Sequence, residues 1–355
     1  MKLLVLVTGV GRSGTSTMAG LLDQLGLYVP GPYLSANDSN PKGFFESRWS
    51  VRFHNQIARS AGIHIFDARP DALDRVQETL TPQLRSRLVT FLSRHADRSD
   101  QVVVKDPRTV WTQRLWREAA QEVGLELRCV TMLRHPAEVV GSRTTYYAGA
   151  TDDEAQRRYQ VLNTARWVNG SLITERETRG RPRAFVRYAD LLADWRSVAA
   201  GLEDQLGLRY ALSPEAGDAV DQFIDPGLRR HAVTWDELET PAALRDIAEA
   251  VWEQMMVLAD SHGVASNASS RLDELARAYA RHLADAQAVS QDAIPEAEAE
   301  ARREGAQQER QRLAEKESRR RARSPDALRV GELRSRDLIR VVVQRAVRRG
   351  RGPRP

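Results

Sequence analysis

The stretch VTGVGRSGTSTM, Val7 to Met18, lies between an apolar run and a helical pattern, and its reading decides the fold. The usual nucleotide loop reads G-x-x-x-x-G-K-[ST]. Gly9 and Gly14 hold the two glycine positions, but Thr15 stands where the lysine belongs, followed by Ser16. A cation does occur earlier in the loop, as Arg12. Strand, glycine-rich turn and helix together make an anion site, because backbone N–H groups and the helix N-terminus converge there. Gly9, Gly11 and Gly14 allow the tight turn and a close approach to a ligand. In nucleoside triphosphatases the loop lysine reaches the outer phosphates while its hydroxyl neighbour holds magnesium. Thr15 cannot supply that charge, so the loop is either a decayed kinase loop or one built around a different anion.

Outward from the loop, apolar strand-like runs alternate with longer helical patterns. Strands are expected at Leu3–Thr8, Gln101–Lys105, Leu125–Leu133 and around Arg183–Tyr188, and a helix at Ser13–Leu25. Continuous apolar strands separated by helices predict a parallel sheet covered on both faces, an α/β three-layer fold of the P-loop NTPase type. Functional residues are then expected at the C-terminal ends of the strands. The pattern fades near SHGVASNASS, Ser261–Ser270, which reads as a linker and sets a catalytic domain at 1–265. Leu272, Leu275, Ala276, Tyr279 and Leu283 then form one helical apolar stripe. A charged helical or partly disordered arm is expected over 266–325, and a basic amphipathic tail over 326–355.

Composition narrows the setting. The 355 residues, 41% apolar, suffice for one large core with appendages. A single cysteine, Cys129, excludes an intrachain disulfide, and a reducing cytoplasm is the expected compartment. The opening MKLLVLV is short for a signal peptide and reads as a buried first strand. No apolar run reaches the ~18 residues that a membrane span needs. The histidines show no ligand spacing and Cys129 lies in an apolar strand, so no metal is expected. The net charge of +5 gathers near the C-terminus without interleaved aromatics, which argues against nucleic-acid binding.

A base directly before Ser13-Gly14-Thr15 lies beside a first phosphate and its leaving oxygen. At this point GRSGTS resembles the 5′-phosphosulfate loop of sulfotransferases, which use 3′-phosphoadenosine 5′-phosphosulfate (PAPS) and carry Lys or Arg at this position. LRHPAEVVGSR places Arg134 at a strand end and Ser142 eight positions later, the spacing with which that family clamps the cofactor's 3′-phosphate. NPKGFFES, VVKDPR, VRYADLLADW and DPGLRRH extend the resemblance across roughly 1–260. It implies a PAPS site formed by Gly11, Arg12, Ser13, Gly14, Thr15, Ser16, Arg134 and Ser142, with Arg229 and Arg230 as neighbours, or else as a solvated charge pair. It implies no metal.

Sulfuryl transfer needs a charge to neutralise the leaving oxygen and a base for the attacking hydroxyl. The resemblance assigns Arg12 to the first task. For the second, some members use a histidine after a middle strand and others a glutamate after the first helix. Here the middle strand ends K-D-P, with Asp106 at the histidine's place, so Glu46 is the candidate base. Glu46 could instead pair with Arg48 or Arg52; His54 and Asp106 are reserves, and His54 also reads as a packing residue beside Phe53 and Ile57. Lys105 either touches the transferring group or ends its strand and reaches to water. Arg108 stays open between an anionic acceptor, a pair with Asp106 and solvent. Trp49, Trp111, Trp116, Trp167 and Trp195 could include a sugar platform but suit core packing better.

The implied activity is sulfate transfer to a hydroxyl of a carbohydrate or glycolipid. Two alternatives stand beside it, a P-loop kinase for a small molecule and a non-catalytic nucleotide-binding scaffold. The tail sets Ile339, Val342, Val343 and Ala346 against Arg340, Arg345, Arg348 and Arg349. Such a face can lie on an anionic membrane, dock on a partner, or pack on the globular domain.

Overall fold

A computed structural model describes residues 2–147, 149, 152–212, 218–224, 227, 233–291 and 294–322. Four strands form one parallel sheet among the described residues: β1 (Lys2–Thr8), β2 (Gln101–Lys105), β3 (Leu125–Leu133) and β4 (Arg183–Arg187), in the order β2-β1-β3-β4. In register, Val5 lies opposite Val103 on one side and Arg128 on the other, and Cys129 lies opposite Arg183. The four runs expected as strands all pair, and the sheet is the parallel one anticipated.

Helices follow the strands in sequence. Between β1 and β2 lie α1 (Thr15–Gln24), α2 (Arg48–Ser60), α3 (Ala72–Thr79) and α4 (Pro82–Ala96). A 3₁₀ turn at Pro107–Trp111 and α5 (Gln113–Glu122) lead to β3. α6 (Pro136–Tyr147) and α7 (Asp153–Thr178) join β3 to β4. Then come α8 (Tyr188–Ala193), α9 (Trp195–Leu206), α10 (Asp218–Phe223), α11 (Ala242–Asp260), α12 (Ser266–Val289) and α13 (Ile294–Ala322).

Strand periodicity sorts β1 between two cores. Leu3, Val5 and Val7 pack with Leu21 and Leu22 of α1 and Leu191 of α8. Leu4 and Leu6 point the other way, onto Phe53 and Ile57 of α2, Leu88 of α4 and Trp116 of α5. A helix layer therefore covers each face, and only the strand ends are free to carry polar chemistry. A third cluster joins Leu133 and Phe185 to Trp167, Val251, Leu272, Leu275 and Tyr279.

That third cluster moves the expected domain boundary. The chain divides into units at Met1–Ala284 and Asp285–Pro355. SHGVASNASS is not a break, because its second half opens α12, whose apolar stripe completes the first unit's core. Within the second unit α13 is helical, and its described side chains over 302–318 are all exposed. The basic tail at 326–355 lies outside the described residues, as do Arg229 and Arg230. No described helix is long and apolar enough to cross a membrane.

Candidate active site

Four parallel strands put all their C-terminal ends on one edge. The loop after β1, Lys105 at the end of β2, Arg134 after β3 and Tyr188 after β4 meet there around a cavity of about 500 Å³. Gly11, Arg12, Gly14, Thr15, Ser16, Glu46, Lys105, Arg134 and Ser142 all line it. Ser13 does not. It is buried and lines a separate void of about 10 Å³, beside Thr131 and Thr174, so its side chain is turned away from the main cavity.

The loop has the backbone that an anion cradle needs. Gly14 caps α1 at φ 88°, and a Cβ there would lie 2.1 Å from the Tyr188 ring. Gly9 has φ 119°, and a Cβ there would lie 2.6 Å from the Met132 carbonyl oxygen. Any larger residue would push the turn off the neighbouring strand. Arg12 itself takes φ 79°, a left-handed backbone for a non-glycine residue. That conformation directs its side chain across the cavity. Its Nε donates to Ser142 Oγ at 3.1 Å, and a terminal nitrogen donates to the Ser39 carbonyl at 2.9 Å. Arg134 donates to the Arg12 carbonyl at 3.2 Å and to Glu138 at 2.9 Å, while its guanidinium faces the Tyr188 ring at 5.3 Å. The Arg12 and Arg134 guanidiniums thus share one cavity on one side of the sheet.

A second, buried network forms the opposite wall. Lys105 Nζ lies 2.5 Å from Glu46 Oε1 and 3.1 Å from Ser16 Oγ. Arg108 bridges Glu46 Oε2 at 3.0 Å and Asp106 Oδ1 at 2.8 Å. Arg48 and Arg52 play no part in holding Glu46; Arg48 instead donates to the Tyr33 carbonyl. Beneath them, the Trp116 indole N–H donates to His54 Nε2 at 2.9 Å, and His54 Nδ1 lies 2.8 Å from Asp106 Oδ2. An indole can only donate, so Nε2 accepts and Nδ1 carries the proton given to Asp106. Both ring nitrogens are therefore occupied, and His54 is not placed to act as a base.

Burial acts to raise the Asp106 carboxyl, but the Arg108 charge, His54 and the Arg108 amide outweigh it and hold it well below the usual carboxylate range. For Arg108, burial lowers the guanidinium while Asp106 and Glu46 raise it further, with a net upward shift. Asp106 is fully enclosed and does not line the cavity, whereas Glu46 does. Of the three candidate bases, only Glu46 meets the space where a ligand would lie.

Four of the tryptophans, Trp111, Trp116, Trp167 and Trp195, are core residues. Trp49 stacks on Phe53 and Phe91. The aromatic lining comes instead from Phe44, Phe66, Tyr146, Tyr159, Tyr188 and Phe223. Arg143 and Arg166 also line the cavity, and sequence reasoning passed over both. Arg143 follows Ser142 directly, so the GSR tripeptide carried a signal; Arg166, midway along α7, offered none.

A family model described as the Sulfotransferase family matches residues 5–211, more than half of the chain. The protein belongs to the sulfotransferase family. Among solved structures it is similar to the sulfotransferase domain of the Synechococcus PCC 7002 olefin synthase, at 18% identity and TM-score 0.41, covering 72% of this chain and 94% of that one. It is also similar to a sulfotransferase domain from the curacin biosynthetic pathway, at 15% identity and TM-score 0.40, covering 72% and 98%. No curated protein matches it. The matched span of this sulfotransferase includes the loop, Glu46, Lys105, Arg134, Ser142 and Tyr188. Among the described residues no cluster of metal-ligating side chains occurs.

Proposed function

We propose that this sulfotransferase takes its sulfuryl group from PAPS and delivers it to a hydroxyl, with a carbohydrate or glycolipid as the acceptor class. The observation that carries the reading is the convergence of Arg12, Lys105, Arg134, Ser142 and Glu46 on one cavity. Its donor set fits such a group: guanidiniums, hydroxyls and loop amides suit phosphate and sulfate oxygens, and a glycine cradle leaves room for them. Gly11 to Ser16 would hold the 5′ end, Ser13 by its backbone alone, and Arg134 and Ser142 the 3′-phosphate. When bound, the donor supplies an electrophilic sulfuryl group and a phosphate leaving group.

The chain's own part is electrostatic. Arg12 would neutralise charge on the leaving oxygen, as a cation pre-placed where charge develops. Lys105 spans Ser16 of the loop and Glu46 of the opposite wall. A small swing of Nζ therefore moves its charge from the carboxylate toward an anion held by the loop and releases Glu46 Oε1. Glu46 then accepts the acceptor's hydroxyl proton, while Arg108 keeps the carboxylate oriented through Oε2. The fixed His54 tautomer and the enclosed Asp106 hold Arg108 in place.

The test is differential thermal stabilisation by 3′-phosphoadenosine 5′-phosphate against ATP with magnesium. A selective upward shift with the former is expected; preference for magnesium-ATP would overturn the donor assignment. The reading also places the enzyme in the cytoplasm, with its C-terminal tail resting on an anionic membrane surface and no role in nucleic-acid binding. Sedimentation of the full chain and of residues 1–325 with anionic vesicles tests the tail, and equal soluble fractions would count against it.

A further inference from the structure

The cavity wall beyond the loop carries cationic groups that the transfer chemistry leaves unused. Arg166 of α7 lines the cavity and is half-buried. Its Nε is enclosed without a hydrogen-bond partner, and no carboxylate within ion-pair distance answers it among the described residues. The carboxylate whose charge it feels is Asp67, and Asp67 is already engaged. Arg69 donates to its Oδ1 at 2.9 Å and to its Oδ2 at 2.7 Å, and the His64 amide adds a bond to Oδ2 at 2.9 Å. Tyr159 lies two turns before Arg166 on the same helix, and it lines the same cavity.

Arg143 of α6 approaches the same region. It donates to Asn163 at 3.2 Å and to the Gly11 carbonyl at 3.3 Å, with its guanidinium 4.4 Å from the centre of the Phe66 ring. The Gly11 bond ties this cluster to the residue just before Arg12, so it adjoins the point of transfer. His64, also on this wall, is pushed down by burial first and then by Arg166 and Arg143, with Asp67 acting the other way. The enclosed Nε of a half-buried guanidinium has lost hydration that a ligand oxyanion can replace.

We infer that the acceptor of this enzyme carries an oxyanion, a carboxylate or a sulfate ester, and that Arg166 with Arg143 receives it, flanked by Phe66 and Tyr159. This deepens the sulfotransferase reading and rests on it for the word acceptor. The planar fork of Arg166 suits two-point binding of such a group, and the aromatic walls suit the carbon ring that bears it. A neutral hydroxyl compound would leave Arg166 unanswered and bind weakly.

Calorimetric titration tests this with glucuronate and glucose 6-sulfate as probes and glucose as the neutral control, with and without saturating 3′-phosphoadenosine 5′-phosphate. At least one anionic probe should bind and glucose should not at the same concentrations. Arg166→Gln should weaken the anionic probe tenfold or more while changing affinity for the adenosine bisphosphate by less than twofold. Arg166→Lys should fall between, since it keeps the charge and loses the fork. Absence of binding by both anions, equal affinity in wild type and Arg166→Gln, or parallel loss of adenosine bisphosphate affinity would overturn the proposal. If the adenosine bisphosphate fails to bind while anion binding still depends on Arg166, the donor assignment falls and the anion site stands.

Discussion

The two walls of the cavity are held in shape by different physics. On the loop side the geometry is written in the backbone: Gly9 and Gly14 take left-handed angles, and Arg12 is carried into position by the turn. On the opposite side it is written in charge, through Lys105, Glu46, Arg108, Asp106, His54 and Trp116 in one connected chain. A backbone cradle tolerates changes in charge but not in size. A buried ion network tolerates small changes in size but not the loss of one member.

Glu46→Gln keeps the size and removes the charge, so it separates the two walls most sharply. If Glu46 is the base, kcat should fall about 10²- to 10⁴-fold, the usual worth of general base catalysis. Affinity for 3′-phosphoadenosine 5′-phosphate should not fall, because the loop donors stay in place and Lys105, relieved of the carboxylate, still faces Ser16 of the loop. A kcat within threefold of wild type would mean that the base lies elsewhere.

Asp106→Asn should cost about 3–5 kcal/mol of stability, the usual cost of removing one member of a buried ion network, here one of the two carboxylates that hold Arg108. Urea midpoints measured near neutral pH would read it directly. The same variant should change the acid limb of stability. Because the Asp106 carboxyl is held below its ordinary value, the unfolded chain takes up its proton first as pH falls. Its contribution is complete above the usual carboxylate range and declines as pH drops below about 4. Wild type should lose more stability than Asp106→Asn between pH 5 and pH 3, whereas parallel curves would show that Asp106 is not the ionised centre of the wall.

The contrast also explains what could be read in advance. Backbone-encoded features leave local marks: glycine spacing, an apolar run before it and hydroxyl residues after it were enough for the loop, the parallel sheet and the strand-end placement of Lys105 and Arg134. Charge networks leave no such marks. Glu46 was legible as a candidate, but its partners Lys105 and Arg108 lie 59 and 62 positions away, and the nearer Arg48 and Arg52 were the natural expectation. The spacing of His54, Asp106 and Trp116 is likewise set by three separate elements. Ser13 shows a finer limit, since the loop pattern names a residue without telling which way its side chain turns. The boundary expected at 265 and the division after Ala284 differ because a Ser- and Gly-containing segment reads as a linker, although the helix after it buries Leu272, Leu275 and Tyr279.

Gly14→Ala probes the backbone wall. The left-handed angle alone costs about 1–2 kcal/mol for a residue with a Cβ. The new methyl would also displace Tyr188, whose ring faces Arg134. Affinity for 3′-phosphoadenosine 5′-phosphate should fall at least tenfold, with a stability loss smaller than that of Asp106→Asn. An equal or larger stability loss would erase the distinction between the walls.

Cys129 supplies the smallest effect and a control that belongs to neither wall. It lies within β3, fully buried, and burial pushes its thiol up to about 12 despite opposing arginine charges. The thiolate is the species that reacts, so native protein should resist iodoacetamide at pH 8 and become labelled only when the sheet opens. The labelling rate therefore reports the population of open molecules. Asp106→Asn, by lowering global stability, should raise that rate by about the factor its stability loss predicts, 10² or more for 3 kcal/mol. Gly14→Ala should raise it less, and Glu46→Gln less than Asp106→Asn, since Glu46 borders the cavity while Asp106 is enclosed. Labelling that is fast in wild type, or equal across the three variants, would place the weak point of the fold in the sheet itself and not in either wall.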